Sequence, residues 1–313
     1  MGVNKITLIR LTLISGISSI SASGQFLVTP ESDPNVLFNN LSGQGITLVG
    51  SPTLIGGATS SGLFSGGLSA GLEFDSGVIF STGHAIDALG PNSDQSRGSP
   101  LGLPGDDDLA SITSQPSLDA SGLTFSFTTD TGDLYFDFLF ASEEYEEYIN
   151  SSVNDVFAFF VTTDSDPNTP GHQPGTTRNL ALINGTNDPI SVDTVNPSSN
   201  ASSYISNTEA TENHQFDGRT RNIIASAQNI GAGEHRIKIV ISDSGDALLD
   251  SAVFLQAGTF GGEPGLVTNG LPVLATLRQT QLSMSQIGLR DVNSRLFRLR
   301  TRRPSPTIIP SSD

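Results

Sequence analysis

The sequence contains no cysteine and no tryptophan. Without cysteine the fold has neither a disulfide nor a thiolate metal site. Basic residues are scarce: 15 Lys and Arg stand against 32 Asp and Glu in 313 residues, a net charge of −17. The scarcity is sharpest in the middle. Between residues 25 and 264 lie six of the basic residues and thirty of the acids, a net −24. A surface of that sign repels nucleic acid and anionic lipid and suits divalent cations. After the N-terminus no segment reaches the ~18 apolar residues of a membrane helix. There is no phosphate loop and no Gly-x-Ser-x-Gly elbow. The four histidines, His84, His172, His214 and His235, are far apart and lack metal-ligand spacing, which predicts surface or strand positions.

What the chain has in quantity is Gly, Ser, Thr, Asn and Asp, a mixture that suits short strands joined by turns. From Gly45 to Thr82, short apolar pieces alternate with glycine. "GLTFSFTT" puts Leu123, Phe125 and Phe127 on one face, and "LYFDFLF" does the same with Phe136, Phe138 and Phe140. Tyr135, Asp137 and Leu139 fall on the opposite face. "DVFAFFVT" is apolar on both faces, as in a central strand between two layers. "HRIKIVIS" alternates Ile237, Ile239 and Ile241 with Arg236, Lys238 and Val240. No helix-length periodic segment occurs between residues 25 and 264. The expected fold is all-β, an antiparallel, jelly-roll-like β-sandwich. Residues 25–45 read as a lead-in and 90–112 as a long surface loop.

The two ends differ from this body. Residues 1–24 carry Lys5 and Arg10, an apolar run, and small residues ending at Ala22-Ser23-Gly24, the pattern of a secretory signal peptide. Residues 265–313 follow a "GGEPG" linker and carry +5. Leu282, Leu289, Val292, Leu296 and Leu299 recur at helical spacing among arginines, which predicts a basic amphipathic helix and a Pro-rich disordered end. Such a helix needs a host for its apolar stripe: a membrane, a barrel or another copy of the chain. Asn40, Asn150, Asn184 and Asn200 match the glycosylation pattern, a common coincidence in a chain so rich in Asn and Ser.

The chemistry-bearing residues are acidic. "FASEEYEEYINSSVNDVF" sets Glu143, Glu144, Glu146 and Glu147 between two core-forming segments and ends on Asn154-Asp155. "ISDSGDALLDSAVF" sets Asp243, Asp246 and Asp250 in a turn between two apolar strands. "PGDDDL" adds Asp106, Asp107 and Asp108. Two carboxylates ~5 Å apart repel by about 1 kcal/mol in water and about 3 kcal/mol at an effective dielectric of 20. A loop pinned by tyrosines between core strands cannot spread its charges freely, and a bound cation would offset the repulsion. Calcium fits, since it takes six to eight hard oxygen ligands. The metal candidates are Glu143, Glu144, Asn154, Asp155, Asp243, Asp246 and Asp250. The rival readings are a solvated acidic loop and, for Asn154 and the aspartates, turn capping of backbone amides.

The motif "FASEEYEEYINSSVNDVFAFF" resembles the signature of the choice-of-anchor L domain, a bacterial secreted and surface module. "GVIFSTGHAIDALGPN", "GDDDLASI", "NLALINGTNDPISVDTVN", "FDGRTRNI" and "HRIKIVISDSGDALLDSAVFLQAGTF" agree with it in order, over residues 40–260. Glu146 departs from it, where proline is usual. The resemblance implies a secreted or surface location, and it places the seven metal candidates within the shared pattern without assigning them a role. The tail at 273–303 resembles the linker before an autotransporter barrel. The expected function is a binding or adhesive module, calcium-stabilised and without catalytic residues. Its expected partner is a cell-surface or matrix component, carbohydrate included. The alternatives are an extracellular glycosidase-like hydrolase with paired carboxylates and a purely structural passenger.

Overall fold

The computed structural model describes residues 24–163, 176–231 and 233–264. The expected signal segment, apart from Gly24, and the expected C-terminal helix lie outside the described residues. In chain order the strands are β1 (Leu27–Pro30), β2 (Ile46–Ile55), β3 (Ser61–Ser65), β4 (Ser76–Ser81), β5 (Ser117–Thr129), β6 (Leu134–Ser142), β7 (Val156–Thr163), β8 (Thr176–Asn179), β9 (Ile190–Ser191), β10 (Tyr204–Ser206), β11 (Gly218–Thr220), β12 (Ile223–Ala227), β13 (His235–Ser244) and β14 (Ser251–Gln256). They form two antiparallel sheets. The larger runs β1-β3-β4-β14-β6-β11-β10, with β12 also paired to β6; the smaller runs β2-β5-β13-β7-β8, with β9 also paired to β7.

The alternating phenylalanines hold the sheets face to face. Phe136 of β6 stacks on Phe159 of β7 with ring centroids 4.7 Å apart. Phe138 meets Phe157 at 4.9 Å, and Phe260 lies edge-on to Phe125 and Phe127 at 5.1 Å. Each fully buried Phe removes enough apolar surface from water to stabilise the fold by roughly 1.5–3 kcal/mol. Stacking adds about 0.5–1.5 kcal/mol per pair.

Both sheets are also covered on their outer faces. Leu139 of β6 packs outward into a second cluster with Phe26, Phe64, Phe74, Phe216 and Phe254. Asp137 shares that outer side and is buried too, its Oδ1 accepting from Asn222 Nδ2 at 2.9 Å. On the smaller sheet, Val156 and Ala158 of β7 pack with Val240 and Leu109, which explains why β7 is apolar on both faces.

Two short helices correct the expectation of a helix-free body. Helix α1 (Pro34–Leu41) falls in the supposed lead-in, and helix α2 (Asp107–Thr113) in the supposed surface loop. Asp33 caps α1 by accepting from Asn35 N, Pro34 supplies a preset first turn, and Leu37, Phe38 and Leu41 are buried. Asp106 caps α2 by accepting from Asp108 N and Leu109 N. Its carboxylate also takes two bonds from Lys238 Nζ, both 2.8 Å, which fasten α2 across β13. Asp106–Asp108 are thus a helix start and its first turn. His214 corrects a smaller expectation: it is fully buried and outside the strands, bonded through Nε2 to Glu212.

Candidate functional site

Two chain crossovers between the sheets carry the acidic clusters. The first leaves β6 at Ser142 and enters β7 at Val156; the second leaves β13 at Ser244 and enters β14 at Ser251. Ser142 is paired with Ser251 in the larger sheet and Val156 with Ser242 in the smaller one. Antiparallel pairing therefore sets the two crossovers side by side at one end of the sandwich.

Direct bonds join them. Glu143 N donates to Asp250 O at 3.0 Å, and Asn154 N donates to Ser244 O at 2.9 Å. Asp155 lies at the centre. Its Oδ1 accepts from Ser244 N at 3.0 Å, its Oδ2 accepts from Ser251 Oγ at 2.6 Å, and its own N–H donates to Glu144 Oε2 at 3.1 Å. The Asp155 and Asp243 carboxyls also face each other, and Thr82 faces Asp243. Tyr145 is the pin for the first crossover. It is fully buried, 4.9 Å from the ring of Tyr204, whereas Tyr148 is exposed.

Of the seven sequence candidates, five are buried here: Glu143, Glu144, Asp155, Asp243 and Asp250. The other two bond backbone amides. Asn154 Oδ1 accepts from Asp193 N at 3.0 Å, and Asp246 Oδ1 accepts from Leu248 N at 3.1 Å. Among the described residues none of the five buried carboxylates ion-pairs with Lys, Arg or His. Arg97, at the mouth of the cleft beside Glu143 and Asp250, is bonded to Asp87.

Burial of charge without a counter-charge favours the protonated form. Burial, with the charge of Asp217 second, pushes Glu143 up to about 10. Burial, with the charge of Asp155 second, pushes Glu144 up to about 10. Asp155 and Asp243 are raised well above the usual carboxylate range, mainly by burial. Asp250 rises to about 7 from burial, although Ser99 N donates to its Oδ1 at 3.0 Å.

Several oxygens of the cluster have no hydrogen-bond partner among the described residues: both of Glu143, Oδ1 of Asp243 and Oδ2 of Asp250. Gln215 Nε2 faces Glu143 but is engaged by Asn92 Oδ1 at 3.2 Å and Asp94 O at 2.8 Å. The available donors to a metal are all oxygen. Among the described residues, no three His, Asp or Glu side chains come together in metal-ligand geometry.

Sequence reasoning passed over two further buried acids nearby. Asp217, inside "FDGRTRNI", is fully buried, and burial pushes it up to about 6. Asp119 accepts from Leu101 N at 2.9 Å and from Leu103 N, and so holds the long loop before α2. The signal in each case is an Asp inside a strand-like segment.

A profile of the choice-of-anchor L domain matches residues 29–261. No curated protein and no solved structure matches the chain significantly.

Proposed function

The chain belongs to the choice-of-anchor L domain family of secreted and cell-surface modules, and on that premise we propose that it is an extracellular binding module whose acidic end is stiffened by calcium. One observation carries the reading. Five carboxylates are buried at the meeting of two crossovers, and no basic side chain among the described residues pairs with them. Protons alone hold such a cluster neutral only at a cost in ionisation at physiological pH. The donor chemistry supports calcium over zinc, because carboxylates, hydroxyls and backbone carbonyls are its ligands and no thiol is present. In a chain without disulfides, a cation holding both crossovers would do the stiffening that cross-links do elsewhere.

Binding is favoured over hydrolysis by exposure. A glycosidase needs two carboxyls ~5–10 Å apart facing a substrate cleft. Asp155 and Asp243 face each other and are each 1% exposed. The partner class that fits a secreted module of this charge is a cell-surface or matrix component, carbohydrate included, and not a nucleic acid.

The test is retention of the labelled full-length chain on intact cells and on immobilised polysaccharides, with calcium and with a chelator. Saturable retention that needs calcium is expected. Retention no greater than that of an equally acidic control protein on every surface would overturn the reading.

A further inference from the structure

Glu143 differs from the other buried acids in what surrounds it. It is 1% exposed, and among the described residues neither of its carboxylate oxygens accepts a hydrogen bond. The charges that raise it are those of Asp217, Asp250 and Asp94, while Arg97 in the same cleft is bonded to Asp87. Asp217 is equally enclosed. Its Oδ1 accepts from Asn92 Nδ2 at 2.5 Å, and its Oδ2 accepts nothing. Glu143 and Asp217 flank the paired Ser142 and Gly218 of β6 and β11, and three of their buried carboxylate oxygens have no hydrogen-bond partner among the described residues, Gln215 Nε2 beside Glu143 being engaged by Asn92 and Asp94.

We propose that Glu143 and Asp217 are the two carboxylate ligands of a Ca²⁺ site closed by the Asn92–Asp94 segment. The inference rests on the calcium reading above and locates the ion within it. A single proton does not satisfy this arrangement. Shared between Glu143 and Asp217 Oδ2, it would still leave the second Glu143 oxygen unbonded, at the desolvation cost of an unmet buried polar group. A cation satisfies all three oxygens at once. Neutral oxygens of the kind calcium also uses stand one hydrogen bond away: the Asp94 carbonyl and the Asn92 amide oxygen, both bonded to Gln215 Nε2. Asn92 is itself anchored, since its Nδ2 also donates to Asn207 O at 3.2 Å. The site therefore joins three separate segments, the end of β6, the 92–94 segment and the start of β11. Magnesium fits less well, because it gives up its waters reluctantly.

The Asp155–Asp243 pair has the opposite character. Ser244 N and Ser251 Oγ already satisfy both oxygens of Asp155, which faces Asp243. Asp155 has no oxygen left over for a cation, and the ion sits on the Glu143 side.

The experiment is calorimetric titration of the chelator-stripped full-length chain with CaCl₂, beside the variants Glu143→Gln, Asp217→Asn and Asp246→Asn. The wild type is expected to bind. Glu143→Gln and Asp217→Asn are each expected to weaken binding by roughly tenfold or more, since ligand charge sets calcium affinity. Asp246→Asn, which keeps the turn cap onto Leu248 N and removes only a charge outside the site, is expected to bind as the wild type does. In calcium-free buffer Glu143→Gln is expected to melt above the wild type, because it removes the cost of burying a carboxyl that the unfolded chain would ionise; with calcium the order reverses. That reversal keeps the test decisive if Asp217→Asn fails to fold. A wild type that binds while Glu143→Gln binds equally well would overturn this site and leave the calcium reading standing. Equal loss in Asp246→Asn would overturn it in favour of a site on the second crossover. A wild type that binds no calcium would overturn both, leaving cell and polysaccharide retention to decide the binding reading.

Discussion

Ser251 Oγ donates to Asp155 Oδ2 at 2.6 Å, and this bond ties the two sheets together at the acidic end. Ser251 opens β14 in the larger sheet; Asp155 leads into β7 in the smaller one. Because Asp155 Oδ1 also accepts from Ser244 N, one carboxyl group fixes the ends of both crossovers. The acidic motif between two core strands is therefore a structural joint as well as a ligand candidate.

Replacing Ser251 with Ala should expose the weight of that joint. The substitution leaves a buried Asp155 oxygen without its donor, at a cost of roughly 1–3 kcal/mol. Urea unfolding should show a lower midpoint with an unchanged slope. An unchanged midpoint would mean that the bond does not couple the crossovers.

Without calcium, stability should fall as pH rises. Burial raises Asp250 to about 7, Asp217 to about 6, and Glu143 and Glu144 to about 10. Above the ordinary carboxylate range the folded chain then holds protons that the unfolded chain has lost, and stability drops with each step in pH. Glu212 acts the other way. Burial raises it, but bonds from His214 and Arg219 bring it down to about 2, so its contribution is lost only in acid below its ordinary value. The melting temperature in chelator should therefore decline between about pH 5 and about pH 8, and calcium should flatten the decline by displacing protons. A melting temperature that rises over this interval in chelator would contradict the protonated cluster.

Gly83 is required by its contact with Asp250. A Cβ at this position would lie 1.8 Å from Asp250 Oδ2 and 2.5 Å from Oδ1. Gly83→Ala must therefore displace the carboxylate or the backbone, a strain of about 1–3 kcal/mol. Lower thermal stability together with weaker calcium binding is expected; wild-type values for both would show that Asp250 moves aside freely.

Much of this architecture is legible in the sequence because a sheet repeats every two residues. Phe125 with Phe127, and Phe136 with Phe138 and Phe140, announce a buried face directly. Length hides α1 and α2: two turns offer only Leu37, Phe38 and Leu41 as an apolar stripe, too few to register as a helical period. Asp137 and Leu139 read as an outward face because the second apolar layer, drawn from β1, β3, β4 and β14, is set by tertiary packing. The crossovers are legible as acidic loops. Which carboxylates they bury is not, since Asp217 arrives from a segment 74 residues after Glu143, and Asn154 and Asp246 look like ligands until their bonds to the backbone amides of Asp193 and Leu248 are seen. The quoted family signature joins these segments only as an order of motifs.

The most direct measurement is the melting temperature of the full-length chain near neutral pH, in calcium and in chelator. An ion that binds only the folded state adds RT ln(1 + [L]/Kd), about 2.7 kcal/mol at a hundredfold excess over Kd. For a body of this size that corresponds to a rise of roughly 5–10 °C. The account predicts such a rise in millimolar calcium, its reversal by chelator, and its loss in Glu143→Gln. The same melting temperature in calcium and in chelator would contradict it and leave the buried carboxylates as a protonated structural joint.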